Sequence, residues 1–303
     1  LIARIHHSYA DGIALVQVLL SLTDTAREPG KGADLGKAWL KQDGAKVARR
    51  VGAVERYTKL GTKMLEKGMD MYRDPTLAGV LAKEGGDIAR ELVQALALPD
   101  DPPSLLRGKL GVSKRVAWAP PLDLEEVKAV GRACGCTVND VLMATAAGSL
   151  RDYMIERGEH VDGMTLRATV PVNLRPLEHA RKLGNHFGLV FLDLPVGISN
   201  PIRRLEHVAE CMHQLKNSRQ AIVAYGLLAA LGMAPAPVQE LALEMFSRKA
   251  TTVATNVPGP QQPLYLAGGK IREMMFWVPQ TGSIGIGMSI LSYNGKVHFG
   301  LIA

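Results

Sequence analysis

The spacing of apolar residues predicts a short strand and a helix at the start of the chain. Residues 1–5 form an apolar run of strand character. Residues 13–22 carry apolar side chains three and four positions apart, the spacing of one helical face. Longer helical patterns follow over residues 45–73 and 75–98, after a stretch rich in glycine and lysine. The proline run at 99–103 cannot continue a helix and marks a predicted domain boundary.

Beyond that boundary, strand and helix patterns alternate, which predicts an α/β fold. Asp123 can cap a helix that runs to residue 134, and Thr137 with Asp140 has capping-box spacing for a helix to 157. Asn294-Gly295 is a strong hairpin signal between the last two predicted strands. The other predicted elements are strands at 114–119, 166–172, 186–195, 251–256, 270–278, 283–292 and 296–302, and a helix at 200–219.

Residues 221–238 contain no charged side chain. A helix that spans a bilayer needs about 20 apolar residues. This segment is shorter, and two glycines and two prolines interrupt it. The pattern therefore favours a helix buried in the core, and the alternative is the wall of a groove that accepts lipid tails.

The amino-acid composition indicates a globular protein and gives no sign of a disulfide-rich or zinc-binding class. Of the 303 residues, 47% are apolar and 21% are charged, which is typical of a globular protein with a large core. The three cysteines form neither a zinc nor a disulfide pattern, so we expect thiols in a reducing compartment, the cytoplasm. The glycines at 282, 285 and 287 precede no helix, so they indicate strand positions that another backbone or a ligand approaches closely.

The positive net charge of +7 is concentrated in residues 45–73, which hold eight basic and three acidic side chains. A basic amphipathic helix is typical of docking on an anionic membrane or a lipid-droplet surface. The alternative is an ordinary surface helix in a connector between domains. The chain has no recognised nucleic-acid-binding motif and only 5% aromatic residues, so no nucleic-acid partner is expected.

The sequence His6-His7-Ser8-Tyr9-Ala10-Asp11-Gly12 joins the first predicted strand to the first predicted helix. An imidazole can take up and return a proton near neutral pH, so His7 is either a general base or a hydrogen-bonded histidine at a strand end. Asp11 can hold the turn or orient an imidazole, and Gly12 permits a tight backbone. Adjacent histidines in a strand point to opposite faces, which disfavours a shared metal ion.

Five blocks in order resemble the bacterial wax ester synthase/diacylglycerol acyltransferase family, which belongs to the coenzyme A-dependent acyltransferases related to chloramphenicol acetyltransferase. The first block is the His-His-x-x-x-Asp-Gly motif, and the resemblance covers nearly the whole chain. The other four blocks are Asn139-Asp140, a central block with Pro171, Arg175, Asn185 and Pro195, the turn Asn256-Val257-Pro258-Gly259-Pro260, and Ser292-Tyr293-Asn294-Gly295.

The resemblance implies roles for these residues. His7 would take the proton of an alcohol that attacks the thioester of a fatty acyl-coenzyme A, with His6 in support and Asp11 structural. Asn139 would either donate a hydrogen bond near the reacting centre or simply begin a helix. Arg175 would anchor a carboxylate or, as we favour, hold a turn. No metal and no bound cofactor are implied, because acyl-coenzyme A is a co-substrate.

The resemblance also implies an architecture, the two-domain coenzyme A-dependent acyltransferase fold of class α/β with a tunnel between the halves. Residues 1–26 would end an incomplete first domain, 27–103 would be a linker and helical connector, and 104–303 would form the C-terminal domain. The family has further sequence before its histidine motif, so the chain is expected to be a fragment. The expected product is triacylglycerol or a wax ester, made in the cytoplasm or at a lipid surface that residues 45–73 contact. A carrier-protein-dependent enzyme on the same fold and a non-catalytic lipid-surface protein are the alternatives.

Overall fold

A computed structural model describes residues 2–5, 12–28, 97–108, 110–174, 187–218, 220–232, 235–280 and 282–303. Nearly all of the predicted linker and both helices predicted between residues 45 and 98 lie outside these ranges. The described elements, in chain order, are α1 Gly12–Ser21, β1 Val116–Trp118, β2 Leu122–Asp123, α2 Leu124–Ala133, α3 Val138–Glu156, β3 Leu166–Asn173, β4 Phe187–Leu194, α4 Pro201–Asn217, α5 Gln220–Gly232, α6 Ala236–Ser247, β5 Thr252–Pro258, β6 Tyr265–Leu266, β7 Gly269–Lys270, β8 Ile286–Tyr293 and β9 Lys296–Ile302.

Seven strands form one mixed sheet in the order β1-β9-β8-β5-β3-β4, and β2 also pairs with β9. The three strands β3, β5 and β8 run parallel to one another. The pairs β3–β4, β8–β9 and β1–β9 are antiparallel. The carboxyl ends of β3, β5 and β8 therefore meet at one edge of the sheet, which we call the carboxyl edge. Ligands of open α/β sheets bind outside such an edge.

Helices α2, α3 and α4 contribute to the main core on one face of this sheet. Leu142 and Met143 of α3 pack there with Ala254 of β5 and Ile290 of β8. The absence of a side chain at Gly148 of α3 allows α4 to come close, because a Cβ there would meet the guanidinium of Arg204. The other face carries a smaller cluster, the α1 cluster, which consists of Leu20, Val257, Leu264, Leu291 and Tyr293.

The caps predicted for α2 and α3 are confirmed. A side-chain oxygen of Asp123 accepts a hydrogen bond from the backbone N–H of Glu125 at 2.9 Å. Thr137 and Asp140 form both bonds of a capping box. Each cap satisfies a backbone N–H that would otherwise lack a partner in the first turn. These helix starts could be predicted because the interaction is local in sequence.

Two predicted strands are wrong. Residues 2–5 form no strand, and Ile2 is almost fully exposed, because no strand in the described part of the chain pairs with them. Of residues 270–278, only Lys270 is in a strand, the short β7 that pairs with β6. The segment that follows crosses the sheet instead of joining it, and the carbonyl of Phe276 accepts a hydrogen bond from the Ser289 hydroxyl.

The buried helix predicted over residues 221–238 is also wrong. The segment is divided between α5 and α6, and none of its described side chains is buried. Leu228 and Val238 are 40% and 48% exposed. The apolar composition predicted burial, but α5 packs beside the edge strand β4 and so has part of its surface facing solvent.

The close approaches predicted at two glycines are confirmed. A Cβ at Gly285 would collide with the backbone oxygen of Leu106, and one at Gly287 would lie 2.8 Å from the oxygen of Val278. Of the three glycines predicted at strand positions, only Gly287 lies in a strand, because β8 begins at Ile286. Gly282 has a φ of +57°, a conformation that glycine tolerates best.

Candidate functional site

The described residues include about half of the predicted site. Gly12 is the first residue of α1, so the histidine motif immediately precedes a helix as predicted. Asn139 and Asp140 lie in the first turn of α3, and Asn256, Pro258 and Gly259 lie at or just after the end of β5. The predicted site residues outside the described ranges are His6, His7, Asp11, Arg175 and Asn185.

The structure brings two of the predicted residues into direct contact. The side-chain Nδ2 of Asn256 donates a hydrogen bond to Oδ1 of Asn139 at 3.0 Å. Both side chains are half-buried. Asn256 reaches this position because it alternates with Ala254 on the face of β5 that α3 covers. The bond joins the first turn of α3 to the carboxyl edge of the sheet.

Asp140 holds the start of α3. Its Oδ2 accepts the backbone N–H of Thr137 at 2.8 Å, and the Thr137 hydroxyl accepts the backbone N–H of Asp140 at 3.3 Å. Its other carboxylate oxygen lies 3.8 Å from Nζ of Lys216 on α4. The side chain is buried, so the ammonium group offsets part of the cost of desolvating the carboxylate. Asp140 therefore positions its neighbour Asn139 and leaves no exposed carboxylate for chemistry.

The turn after β5 is fixed against the β8–β9 hairpin. The backbone N–H of Gly259 donates to the carbonyl of Ser292 at 2.8 Å, and the N–H of Asn294 donates to the carbonyl of Pro260 at 3.0 Å. A Cβ at Gly259 would collide with that Ser292 oxygen, so only glycine fits here. The side chain of Gln261 also donates to the carbonyl of Gly259 and the hydroxyl of Ser292. Two of the motif blocks, far apart in sequence, thus form one rigid unit.

Helix α1 lies against this unit from the other face of the sheet. Leu20 packs in the α1 cluster with Val257, the residue after Asn256. Just beyond the helix, the backbones of Asp24 and Tyr265 exchange two hydrogen bonds of 2.8 Å each. The helix that follows the histidine motif and the Asn139–Asn256 pair are therefore both held at the end of β5. Sequence reasoning missed Leu20 and Tyr265 as contacts, because nothing local in the sequence indicates their partners.

A buried charged cluster lies at the opposite, amino edge of β3 and β5. One carboxylate oxygen of Asp101 accepts hydrogen bonds from the Thr251 hydroxyl and the backbone N–H of Arg167, and the other lies 3.6 Å from Nε of Arg167. Burial raises the pKa of the Asp101 carboxyl above its usual value, although these partners act to lower it. The cluster ties the predicted boundary at 99–103 to the sheet, and its position away from the carboxyl edge indicates a structural role.

A shallow cavity of about 370 Å³ lies apart from the predicted site and is lined by Leu110, Leu243, Ser247 and neighbouring residues of α6. None of its lining residues belongs to a motif block. Among the described residues, no group of three or more histidine, cysteine, aspartate or glutamate side chains is placed to hold a metal ion. None of the described helices has both the length and the apolar content to cross a membrane.

Two family models match the chain in sequence order. The wax ester synthase/diacylglycerol acyltransferase catalytic domain matches residues 1–142, and the C-terminal domain of the same family matches residues 183–303. The first match includes the histidine motif and Asn139-Asp140, and the second includes Asn185, Asn256 and the turn that follows it. The chain belongs to the wax ester synthase/diacylglycerol acyltransferase family. The family resemblance given by the five blocks is thereby confirmed.

Two relatives of the chain are proteins of Mycobacterium tuberculosis. The chain is 29% identical over 312 residues to the probable diacylglycerol O-acyltransferase tgs1 of Mycobacterium tuberculosis, covering 100% of this chain and 63% of the relative. It is 33% identical over 218 residues to the probable diacylglycerol O-acyltransferase tgs2 of the same organism, covering 70% of this chain and 47% of the relative. The chain thus spans less than two thirds of the length of these relatives.

Solved structures confirm the fold. The wax ester synthase/diacylglycerol acyltransferase of Marinobacter aquaeolei VT8 superposes with a TM-score of 0.57 at 24% identity, over 99% of this chain and 60% of the other. The epimerization domain from the third module of tyrocidine synthetase B gives a TM-score of 0.51 at 12% identity, over 98% and 62%. At these identities the similarity shows the coenzyme A-dependent acyltransferase fold and nothing about substrates.

Proposed function

We propose that this chain carries the reacting centre of an enzyme that moves a fatty acyl group from acyl-coenzyme A to the hydroxyl of diacylglycerol or a long-chain alcohol. The observation that carries the proposal is the 3.0 Å hydrogen bond between Asn139 and Asn256. It joins two motif blocks of the acyltransferase family at the carboxyl edge, beside the helix that begins at the end of the histidine motif. That edge is where ligands of such sheets bind.

In the proposed mechanism, His7 is the general base. Its imidazole accepts the proton of the acceptor hydroxyl while the hydroxyl oxygen attacks the thioester carbonyl carbon. The tetrahedral intermediate then collapses, the carbon–sulfur bond breaks, and the imidazolium returns the proton to the coenzyme A thiolate. An ester and free coenzyme A are formed, and no acyl-enzyme is required. Gly12 and Asp11 hold the turn that places the imidazole, and His6 supports it.

Asn139 is proposed to stabilise the oxyanion of that intermediate. Its Oδ1 already accepts a hydrogen bond from Asn256, so the amide is oriented with its Nδ2 hydrogens available as donors. A fixed amide donor costs little reorganisation when negative charge develops on the oxygen. Removing one such donor lowers kcat by roughly 100-fold to 1,000-fold in enzymes that rely on it.

The lipid substrates also motivate a proposed contact between residues 45–73 and a membrane or lipid-droplet surface. The support is the excess of eight basic over three acidic residues in an amphipathic pattern, which suits an anionic surface. Replacing four of these basic residues with glutamate should abolish co-sedimentation with vesicles that contain anionic lipid. Unchanged co-sedimentation would rule this contact out without affecting the proposed chemistry.

The central test uses the intact protein with palmitoyl-coenzyme A and either dioleoylglycerol or hexadecanol, and follows both thiol release and ester product. We expect His7→Ala to lower kcat by roughly 100-fold to 10,000-fold, the usual contribution of a general base. His6→Ala should have a smaller effect. His207→Ala, at an exposed position of α4, is the matched control and should keep the wild-type rate.

The outcomes separate the alternatives. A His7→Ala variant with the full rate would remove the base from the mechanism. Transfer from an acyl-carrier protein but not from acyl-coenzyme A would favour a carrier-protein-dependent enzyme on the same fold. Lipid binding without turnover by the wild type would favour a non-catalytic lipid-surface protein.

A further inference from the structure

The short hairpin formed by β6 and β7 contains a side-chain hydroxyl in place of one backbone hydrogen bond. Its turn residues Ala267 and Gly268 have positive φ angles of 48° and 78°, as a tight two-residue hairpin requires. The next pair outward is Leu264 and Ile271, where the N–H of Ile271 donates to the carbonyl of Leu264 at 2.8 Å. The reciprocal bond is replaced by Tyr293, whose hydroxyl accepts from the N–H of Leu264 at 2.8 Å and donates to the carbonyl of Ile271 at 2.9 Å.

Tyr293 is rigidly held at the end of β8. Only 1% of its surface is exposed, and its ring belongs to the α1 cluster. Burial raises the pKa of its phenol, so the hydroxyl remains a donor throughout the neutral range. A buried hydroxyl is costly unless it is hydrogen-bonded, and here both its donor and an acceptor position are used. The hydroxyl therefore fixes how far the hairpin stands from the end of β8.

The same hairpin also contacts helix α1 and the residues just after it. The backbone of Tyr265 in β6 exchanges two hydrogen bonds with Asp24, three residues beyond the end of α1. Leu264, the residue whose N–H bonds Tyr293, also packs with Leu20 of α1. On the other side, β8 pairs with β5, and Val257 and Leu291 are register partners. A continuous set of contacts thus runs from α1 through Tyr293 to the strand that carries Asn256.

We propose that Tyr293 is a positioning residue whose hydroxyl sets the placement of α1, and thereby of His7, relative to the Asn139–Asn256 pair. The inference rests on the proposed function in so far as His7 is the base. Tyr293 does not touch the reacting atoms. Its effect is exerted through the hairpin, and a displacement of about 1 Å at a catalytic group can cost roughly 100-fold in rate.

The kinetic test compares Tyr293→Phe with wild type in the intact protein, using palmitoyl-coenzyme A and dioleoylglycerol. The variant keeps the ring and loses the hydroxyl. We expect kcat to fall roughly tenfold or more while KM for palmitoyl-coenzyme A changes by about twofold or less. In a His7→Ala background the same substitution should change the residual rate by no more than about twofold, because the base it positions is gone. Tyr153→Phe, on the exposed side of α3, makes the same chemical change away from the hairpin and should leave kcat unaltered.

A structural measurement decides the inference even if no variant shows acyl transfer. Amide hydrogen exchange in Tyr293→Phe should be faster than in wild type in residues 12–21 and 264–271 and unchanged in α3. Unaltered exchange in residues 12–21 would overturn the proposal, and so would an equal loss of rate with and without His7. Suppose that exchange is faster in residues 12–21 and that the wild type transfers no acyl group. The placement of α1 by Tyr293 would then be supported, and only the proposed function would be refuted.

Discussion

At the residue scale, the bond between Asn139 and Asn256 decides which end of the Asn139 amide faces the carboxyl edge. Asn256 donates to Oδ1, which leaves the nitrogen of Asn139 to act as a donor. Within the described part of the chain, neither amide forms a further hydrogen bond. The orientation of the Asn139 amide therefore depends on residue 256 having an amide, which can donate a hydrogen bond, and not a carboxylate, which can only accept one.

This dependence predicts the effect of Asn256→Asp, a nearly isosteric change. The new carboxylate can only accept, so the amide of Asn139 should turn to donate to it and present its oxygen to the substrate. We expect kcat to fall roughly 100-fold, as when an oxyanion donor is lost, with little change in the thermal unfolding midpoint. Asn217→Asp, at an exposed site on α4, is the control. A wild-type kcat in Asn256→Asp would contradict the proposed role of the pair.

His298 in β9 leads to a prediction about pH. The residue is 2% exposed, and neither ring nitrogen has a hydrogen-bond partner among the described residues. Burial lowers the pKa of this imidazole, and the nearby carboxylate of Glu273 opposes that shift only in part. The unfolded state therefore binds a proton more readily than the folded state below about pH 6.5. The contribution of His298 to the free energy of unfolding is therefore fully present above that pH and is lost progressively as the pH falls below it.

The measurement is urea unfolding of wild type and His298→Leu between pH 7.5 and 5. Below about pH 6.5, the free energy of unfolding should decrease more steeply with falling pH in the wild type than in His298→Leu. The difference between the two slopes should reach at most about 1.4 kcal/mol per pH unit. His160→Gln, an exposed histidine change, should follow the wild-type profile. Parallel profiles for wild type and His298→Leu would show that His298 is protonated equally in both states.

At the scale of elements, the sequence predicted what depends on neighbouring residues and failed where partners are distant. The caps of α2 and α3 lie within four residues of the groups they bond, and both were predictable. The burial of residues 221–238 and the pairing of residues 270–278 depend on what packs beside them, and both predictions were wrong. The Asn139–Asn256 contact joins residues 117 apart, so motifs could name its members but not their bond.

The segment at 99–103 shows how an irregular element is held in place. Asp101 has a side chain with no exposed surface and binds Arg167 at the start of β3 and Thr251 just before β5. Sequence reasoning assigned these residues a domain boundary, which remains a prediction. The charge pair that anchors the segment was missed, because an aspartate between prolines is typical of an exposed loop.

Asp101→Ala should therefore destabilise the fold strongly. Removing the carboxylate leaves the buried guanidinium of Arg167 without its nearest acidic group, and the Thr251 hydroxyl and the Arg167 N–H lose their acceptor. Breaking a buried ion pair in this way costs about 3 kcal/mol or more. The neighbouring Asp100→Ala is the matched control, because Asp100 forms an exposed ion pair with Arg248 at 3.7 Å and should contribute less than about 1 kcal/mol. Urea unfolding at neutral pH measures both, and equal losses would refute a special role for the buried pair.

At the scale of the whole molecule, α1 lies near the start of the chain but packs on strands formed by residues 252–293. Sequence reasoning placed residues 1–26 in a different domain from 104–303, and that division remains a prediction. The structure adds that α1 has its apolar contacts with β5, β8 and the β6–β7 hairpin. Gly12, the last residue of the histidine motif, thereby begins a helix that packs against the strands of the C-terminal blocks.

If this packing is substantial, α1 and the sheet should unfold in one transition. Leu20 is 2% exposed, and Leu20→Ala should lower the free energy of unfolding by about 3 kcal/mol because it leaves a cavity against Val257 and Leu264. Leu22→Ala, two residues on and 62% exposed, should cost less than about 0.5 kcal/mol. Amide exchange under increasing urea, followed separately for residues 12–21 and 286–302, tests whether the two segments lose protection together. If residues 12–21 lost protection first, and Leu20→Ala cost no more than Leu22→Ala, then α1 would be an independent element and the base could not be held in place by the strands that carry its partners.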